Sequence, residues 1–304
     1  MTEARSKGSI YFQAVRAFSF PASMIPSVLG ATFALLLSPA TAVWWLMPFI
    51  LLSLILLHSG SNVISDVDDY KNGVDAKGTL GGSGVIVNEL LSPKQMFRFG
   101  MVLFALAVAF GMPIIYTRGL TILLFGILGI LGGFFYTGRP IGYKYVALGD
   151  FFIFLLYGPA ITTGTYYAIT GTFNYTVLLS SVPLGLLIAG IVHANNLRDL
   201  IHDKKANIRT LATIFGESFA KAEYLFLIIG AYVTVIVLIA FHYLSPWSLL
   251  VMLSLPPAIK NMTSIRGVKI EETAKIAMLD AQTAQLTLMF GVLLSVSLLI
   301  AKFV

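Results

Sequence analysis

Two groups of oxygen-bearing side chains stand where this chain passes from apolar to polar. Asn62, Asp66 and Asp69 close one long hydrophobic run, and Asn195, Asn196, Asp199 and Asp203 close another. At about 100° per residue, Asn62, Asp66 and Asp69 fall within about 60° of one another on a helix face. Asp68 points well away from that face and ranks below its neighbours. Asn195, Asp199 and Asp203 form a second stripe at i, i+4 and i+8. Carboxylates beside lipid are expensive, and a chain that keeps two sets of them is expected to use them. Hard oxygen ligands favour magnesium, which sheds its water reluctantly and is held by a few carboxylates together with substrate phosphate oxygens. The pattern predicts Mg2+ between the stripes, bridging to a diphosphate, with Asp66, Asp69, Asp199 and Asp203 as catalytic metal ligands. Asn62 and Asn195 are expected to orient them. Helix capping alone would explain one cluster better than two matched ones.

The elements that must position these residues are membrane helices. The chain of 304 residues is 57% hydrophobic and 11% charged, with a mean hydropathy of +0.87. That composition predicts an all-α polytopic membrane protein. Nine apolar segments can be drawn, at 17–37, 43–64, 95–116, 119–137, 146–170, 175–197, 222–242, 246–261 and 282–301. The expected architecture is a single domain over 1–304, with nine transmembrane helices around a central cavity. The eighth segment is short and carries Pro256 and Pro257, so a tilted or broken helix is expected there. The polar start, Met1 to Lys7, and the long first apolar stretch argue against a cleaved signal peptide.

Of the 20 Lys and Arg residues, 18 fall on one side of this topology, and only Arg118 and Lys302 on the other. The positive-inside rule then places the N-terminus in the cytoplasm and the C-terminus outside. Both acidic clusters lie on the cytoplasmic side, under cap loops at 65–93 and 198–221. Cysteine is absent, which removes thiolate chemistry and Cys-ligated metals. Lys71, Lys77, Arg139, Lys144, Arg198, Lys204 and Arg209 are candidate diphosphate clamps, although topology alone accounts for most of them. Phe134, Phe135, Tyr136, Tyr143, Tyr145 and Tyr157 are candidates to offer an aromatic face to a cation. His58 and His193 read as packed, hydrogen-bonded residues before they read as bases.

The run from Asn62 through Asp66, Asp69, Gly73 and Asp75 resembles the first motif of the UbiA superfamily of intramembrane prenyltransferases. The run from Asn195 through Asp199, Asp203 and Arg209 resembles its second. The segments Asp69–Asp75, Gly81–Gly84, Arg16–Pro26 and Tyr136–Pro140 are similar to the branch that prenylates 1,4-dihydroxy-2-naphthoate in menaquinone biosynthesis. The first motif departs from the family pattern: Ser65 precedes Asp66 where Asn is usual, and Gly73 takes the last Asp position, with Asp75 two residues on.

The resemblance implies nine spans, a prenyl diphosphate donor, an aromatic or lipid-like acceptor, Mg2+, and no nucleic-acid partner. It implies that Arg209 touches the donor. It also implies that Asp75, Lys77 and Ser83 belong to a substrate-contacting lid, with Tyr136 and Arg139 nearby. Two alternatives remain open. One is a prenyltransferase acting on a glycerol phosphate in ether-lipid synthesis. The other is a cation-coupled transporter, against which the Asp residues at segment ends argue. The signature of phosphatidyl-alcohol transferases is missing.

Overall fold

The computed structural model describes residues 6–77, 81–269, 272 and 275–303. Residues 78–80 of the expected 65–93 cap, and Arg5 of the basic tally, lie outside the described residues. The fold is helical, and one isolated bridge between Val146 and Arg209 is the extended pairing found among the described residues.

Each of the nine apolar segments falls on helical structure. The elements are α1 (Lys7–Ala14), α2 (Pro21–Leu37), α3 (Met47–Lys71), α4 (Pro93–Arg118) and α5 (Leu120–Phe134). Then come α6 (Gly149–Leu155), α7 (Ile161–Thr170), α8 (Tyr175–Ser180), α9 (Val182–Arg198) and α10 (Leu200–Lys205). The chain closes with α11 (Leu211–Phe215), α12 (Glu217–Ala240), α13 (Leu255–Arg266) and α14 (Leu279–Phe303). Among the described residues, six helical stretches are long and apolar enough to cross a membrane, or seven if α2 is joined to the N-terminal helices across a 56° bend. Two of the nine segments fall short of that length for local reasons. α5 is only 15 residues long, and the eighth segment is a 3-10 stretch, Pro246–Ser254, that turns into α13 at its prolines.

Sequence signals explain the boundaries. Ser92 and Gln95 form a capping box at the start of α4: the Gln95 amide donates to Ser92 Oγ at 3.3 Å and the Ser92 amide to Gln95 Oε1 at 2.8 Å. α3 ends in a Schellman turn. The Val74 amide donates to the Asp69 carbonyl at 2.8 Å, and Gly73 occupies the left-handed position at φ 71°. α10 ends the same way, with the Ile208 amide on the Asp203 carbonyl at 2.9 Å and Asn207 at φ 56°. Asp69 and Asp203 therefore hold equivalent places in two matching helix ends.

α9 is the central helix, packed against α6, α12 and α14. α2 packs on α7 and α14, and α3 on α4 and α5. Outward faces of α4, α5 and α12 carry large exposed apolar residues such as Val102, Leu128 and Phe226. A soluble protein would bury them; lipid accepts them. Trp44, Trp45, Tyr116, Tyr175, Tyr243 and Trp247 are exposed at helix ends opposite the carboxylates, as in an interfacial aromatic belt.

Between helices in lipid, cohesion comes from close packing rather than water exclusion. Gly158, in the π-helical turn Leu156–Ala160, meets Gly185 of α9 so closely that a Cβ on Gly158 would lie 2.5 Å from the Gly185 Cα. Gly158→Val should therefore cost about 1–3 kcal/mol by overpacking. Thermal unfolding in detergent should show a lowered midpoint, while Gly8→Ala, where a Cβ meets nothing within 4 Å, should not.

Candidate functional site

The C-terminal turn of α3 presents Asp66 and Asp69, both buried. The break between α9 and α10 presents Asp199 and Asp203. The backbone after α3 folds back so that the Asp75 amide also reaches the Asp69 carbonyl, at 3.3 Å. The glycine loop then crosses the two clusters. A Cβ on Gly81 would lie 3.0 Å from Asp75 Oδ1 and 3.7 Å from Asp199 Oδ2. One on Gly82 would lie 2.2 Å from Asp75 Oδ2 and 3.3 Å from Asp66 Oδ1. Asp66, Asp75 and Asp199 thus converge on one pair of residues with no side chains to separate them.

Each carboxylate has a different set of partners. Asp66 Oδ2 accepts from the Ser83 amide at 2.9 Å and from the Ser83 hydroxyl. Its Oδ1 is buried with no hydrogen-bond partner; Arg16 Nη1 stands 3.7 Å away. Asp69 accepts from Lys144 Nζ at 2.8 and 2.7 Å and from the Tyr145 hydroxyl at 2.9 Å. Asp199 is bound in a fork by Arg198, at 2.9 and 2.7 Å, and Arg198 is in turn held by Asp280 at 3.0 Å. Asn195 Oδ1 is a second buried oxygen without a partner.

Electrostatics follow from this crowding. Burial, then the neighbouring Asp69 and Asp66, push the Asp75 carboxyl up to about 7. Burial, with Asp199 and Asp69 opposing the pull of Lys144, also pushes Asp203 up to about 7. Burial alone would lower Lys144, but Asp69 facing it, helped by Tyr136, Tyr145 and Asp203, holds the ammonium well above its ordinary value. The donor set is oxygen-rich and short of positive charge, with the partnerless oxygens of Asp66 and Asn195 at its edge. Such a set fits a hard divalent cation.

The other sequence candidates are spread more widely. Ser83 is at the cluster, and Tyr136 stacks edge-on with Tyr143, with Lys144 Nζ 5.8 Å from its ring. Asn62 turns away from the carboxylates and donates to the Val15 carbonyl at 3.0 Å and Ser19 Oγ at 3.1 Å. Lys71 lies over the Phe97 ring at 5.8 Å, and Lys77 pairs loosely with Glu89 at 3.8 Å in an exposed position. Arg139 lines a separate pocket of about 270 Å³ with Asn72, Tyr145 and Ile208. Arg209 is exposed, and it is its backbone that bridges to the 145–147 segment. Asp68 accepts a long bond from Thr137 at 3.4 Å.

One site residue escaped the sequence reading: Asp280 stands alone at the head of the last apolar segment with no motif around it. Lys144, a candidate diphosphate clamp by sequence, instead faces Asp69.

An apolar cavity of about 390 Å³ opens between α3, α4, α5 and α7; its lining reaches Ser61 on α3, and the carboxylates of the site do not line it. His58, Tyr143 and Tyr157 line it, and it runs past Gly126 and Gly129 to Ile50 and Ile114. His58 is held by Ser19 and Ser23 at 3.2 and 3.0 Å, a packed and satisfied histidine.

Residues 23–279 match the sequence profile of the UbiA prenyltransferase family. The chain is 28% identical over 302 residues to the 1,4-dihydroxy-2-naphthoate octaprenyltransferase of Bacillus subtilis, covering 99% of this chain and 96% of that one. Its fold is shared with a UbiA homolog from Archaeoglobus fulgidus bound to DMAPP and Mg2+, at a TM-score of 0.57 and 17% identity over 94% of this chain and 99% of the other. It is also shared with a chain solved in work on digeranylgeranylglyceryl phosphate synthase, at a TM-score of 0.61 and 15% identity over 95% and 99%.

The raised carboxyls make a prediction about stability. Asp75 and Asp203 bind protons more tightly folded than unfolded, so the stability they lend is present below about pH 4 and is lost as pH rises through about 7. In chelator, the thermal midpoint should fall between pH 5 and pH 8. Magnesium should restore it more at pH 8 than at pH 5, because ligands must be deprotonated to bind.

Proposed function

The chain belongs to the UbiA prenyltransferase family and is a multi-pass membrane enzyme, and from that premise we propose that it transfers a prenyl group from a prenyl diphosphate to an electron-rich aromatic acceptor of the 1,4-dihydroxy-2-naphthoate kind. The observation that carries this reading is the meeting of Asp66, Asp75 and Asp199 at the Gly81–Gly82 loop, with α3, which carries Asp66, also lining the apolar cavity through His58 and Ser61. A diphosphate head and a hydrocarbon tail need that combination in one molecule. The acceptor class follows the Bacillus subtilis relative, and the metal follows the Mg2+ bound by the Archaeoglobus fulgidus homolog.

In this reading Asp66, Asp69, Asp199 and Asp203 hold Mg2+, with Asn195 lending its partnerless oxygen and Asn62 holding the α3 face in place. When bound, the cation neutralises the leaving diphosphate as the allylic bond breaks. Lys144 and Arg198 stand within reach of the same space and supply positive charge where the diphosphate builds negative charge. Arg209, Arg139, Lys71 and Lys77 guard the approach. Ser83 and the glycine loop close over the head group, with Asp75 beneath. Tyr143 and Tyr157 line the cavity, where aromatic rings would stabilise a cation on carbon and keep water away. The whole of 1–304 acts as one domain of nine spans, with the site under the 65–93 and 198–221 caps on the cytoplasmic side.

Asp66→Asn and Asp199→Asn keep shape and remove charge. Losing one such element typically costs about 3–4 kcal/mol, roughly a hundredfold or more in turnover. Asp68→Asn should cost far less. Steady-state kinetics with a prenyl diphosphate and a panel of naphthoate, benzoate and glycerol-phosphate acceptors checks both rate and acceptor. Equal losses for the Asp66 and Asp68 variants would contradict the assignment.

The absence of cysteine makes topology easy to test. Lys77→Cys and Lys205→Cys should label from the cytoplasmic face and Thr41→Cys from the other. Labelling of positions 77 and 205 from opposite faces would contradict the orientation.

A further inference from the structure

Behind the second carboxylate motif lies a polar cluster that the chemistry above does not use. His193 of α9 is fully buried. Its Nε2 faces the Ala220 carbonyl of α12 at 2.7 Å. A carbonyl can only accept, so Nε2 carries hydrogen. Its Nδ1 pairs with Asp150 Oδ2 of α6 at 3.0 Å, and Glu223 Oε2 of α12 stands 3.5 Å away. The ring is therefore held at both nitrogens. The other oxygen of Asp150 accepts from Asn196 Nδ2 at 3.1 Å. One carboxylate thus grips α9 at two points a turn apart, His193 and Asn196.

α9 has a particular need for such a grip. Leu187, Ile188, Ala189, Gly190 and Ile191 are all buried. At about 100° per residue these five go right round the helix, so α9 has no solvent-facing stripe to set its rotation. Apolar burial is non-directional and fixes where the helix lies better than how it is turned. Hydrogen bonds are directional. A rotation by one residue would swing Asn195 and Asp199 about 100° out of the site.

We propose that Asp150 and His193 are positioning residues for the second carboxylate motif: their hydrogen bonds to each other, to Asn196 and to the Ala220 carbonyl lock the rotation of α9 and so aim Asn195 and Asp199 at the cation. This rests on the reading of Asp199 as a cation-holding group. Replacing a whole buried ionic set by apolar residues of similar volume is often neutral or stabilising, so specificity and stability separate here.

The test uses Mn2+ as the probe, titrated by electron paramagnetic resonance into the full-length protein without donor, alongside thermal unfolding. The variants are D199N, D150N and the triple change D150L/H193F/E223L. The expected result is a loss of Mn2+ affinity of tenfold or more in all three, with the thermal midpoint of the triple variant at or above that of the wild type. If D199N loses affinity while D150N and the triple variant keep it, the positioning role is overturned and the cation site stands. If D199N itself binds Mn2+ as the wild type does, both fall. The ligating atoms of Asp150, His193 and Glu223 lie within 4.8 Å of one another. Stoichiometric zinc in the purified protein that disappears in the triple variant would make the cluster a metal site and overturn the proposal as well.

Discussion

Mutual repulsion among buried carboxylates is the constraint from which the rest of this structure follows. Asp66, Asp69, Asp75 and Asp203 are all buried, with Asp199 beside them. Two such charges about 4 Å apart repel by about 4 kcal/mol at an effective dielectric near 20. A protein of ordinary stability cannot carry several such pairs unopposed. Lys144, Arg198 and Arg16 supply part of the balance, the raised proton affinities of Asp75 and Asp203 supply more, and an oxygen-loving divalent cation would supply the remainder.

That arrangement dictates where helices end. α3 and α10 end in Schellman turns that re-cover the freed carbonyls of Asp69 and Asp203, while i to i−4 bonding runs on through Asp199 at the break between α9 and α10. The loop between them passes within contact distance of three carboxylates, where a Cβ would crowd the Asp75 carboxylate. Gly82, at φ 66°, meets both the conformational and the steric demand. Ser83, next in line, places its amide and hydroxyl on Asp66, and Gln13 of α1 fixes the Ser83 carbonyl at 2.7 Å. The N-terminal helix is thereby tied to the site although no motif marks it.

Local signals made much of this legible. The apolar segments located the helical elements, and the two acidic stripes picked out carboxylates that the fold brings together. Gly73 and Asn207 are ordinary helix terminators. The π turn at Leu156–Ala160, the 3-10 stretch at Pro246–Ser254 and the shortness of α5 were hidden, because hydropathy reports apolar content and not backbone geometry. Charge pairing was hidden for another reason. Arg198 read as a substrate clamp from its neighbours, yet its partner Asp280 lies 82 positions away, and Lys144 reaches Asp69 across 75. Nothing in a single sequence links residues so far apart. Asp150, His193 and Glu223 likewise come from three helices, each looking like a stray polar residue in an apolar run.

The decisive question is whether the two clusters form one cation-dependent diphosphate site. Equilibrium binding of geranyl diphosphate to the purified protein, measured calorimetrically with magnesium and again with chelator, tests this without turnover or acceptor. Affinity should fall a hundredfold or more on chelation. An unchanged dissociation constant would mean that the carboxylates hold no bridging cation and would contradict the central claim.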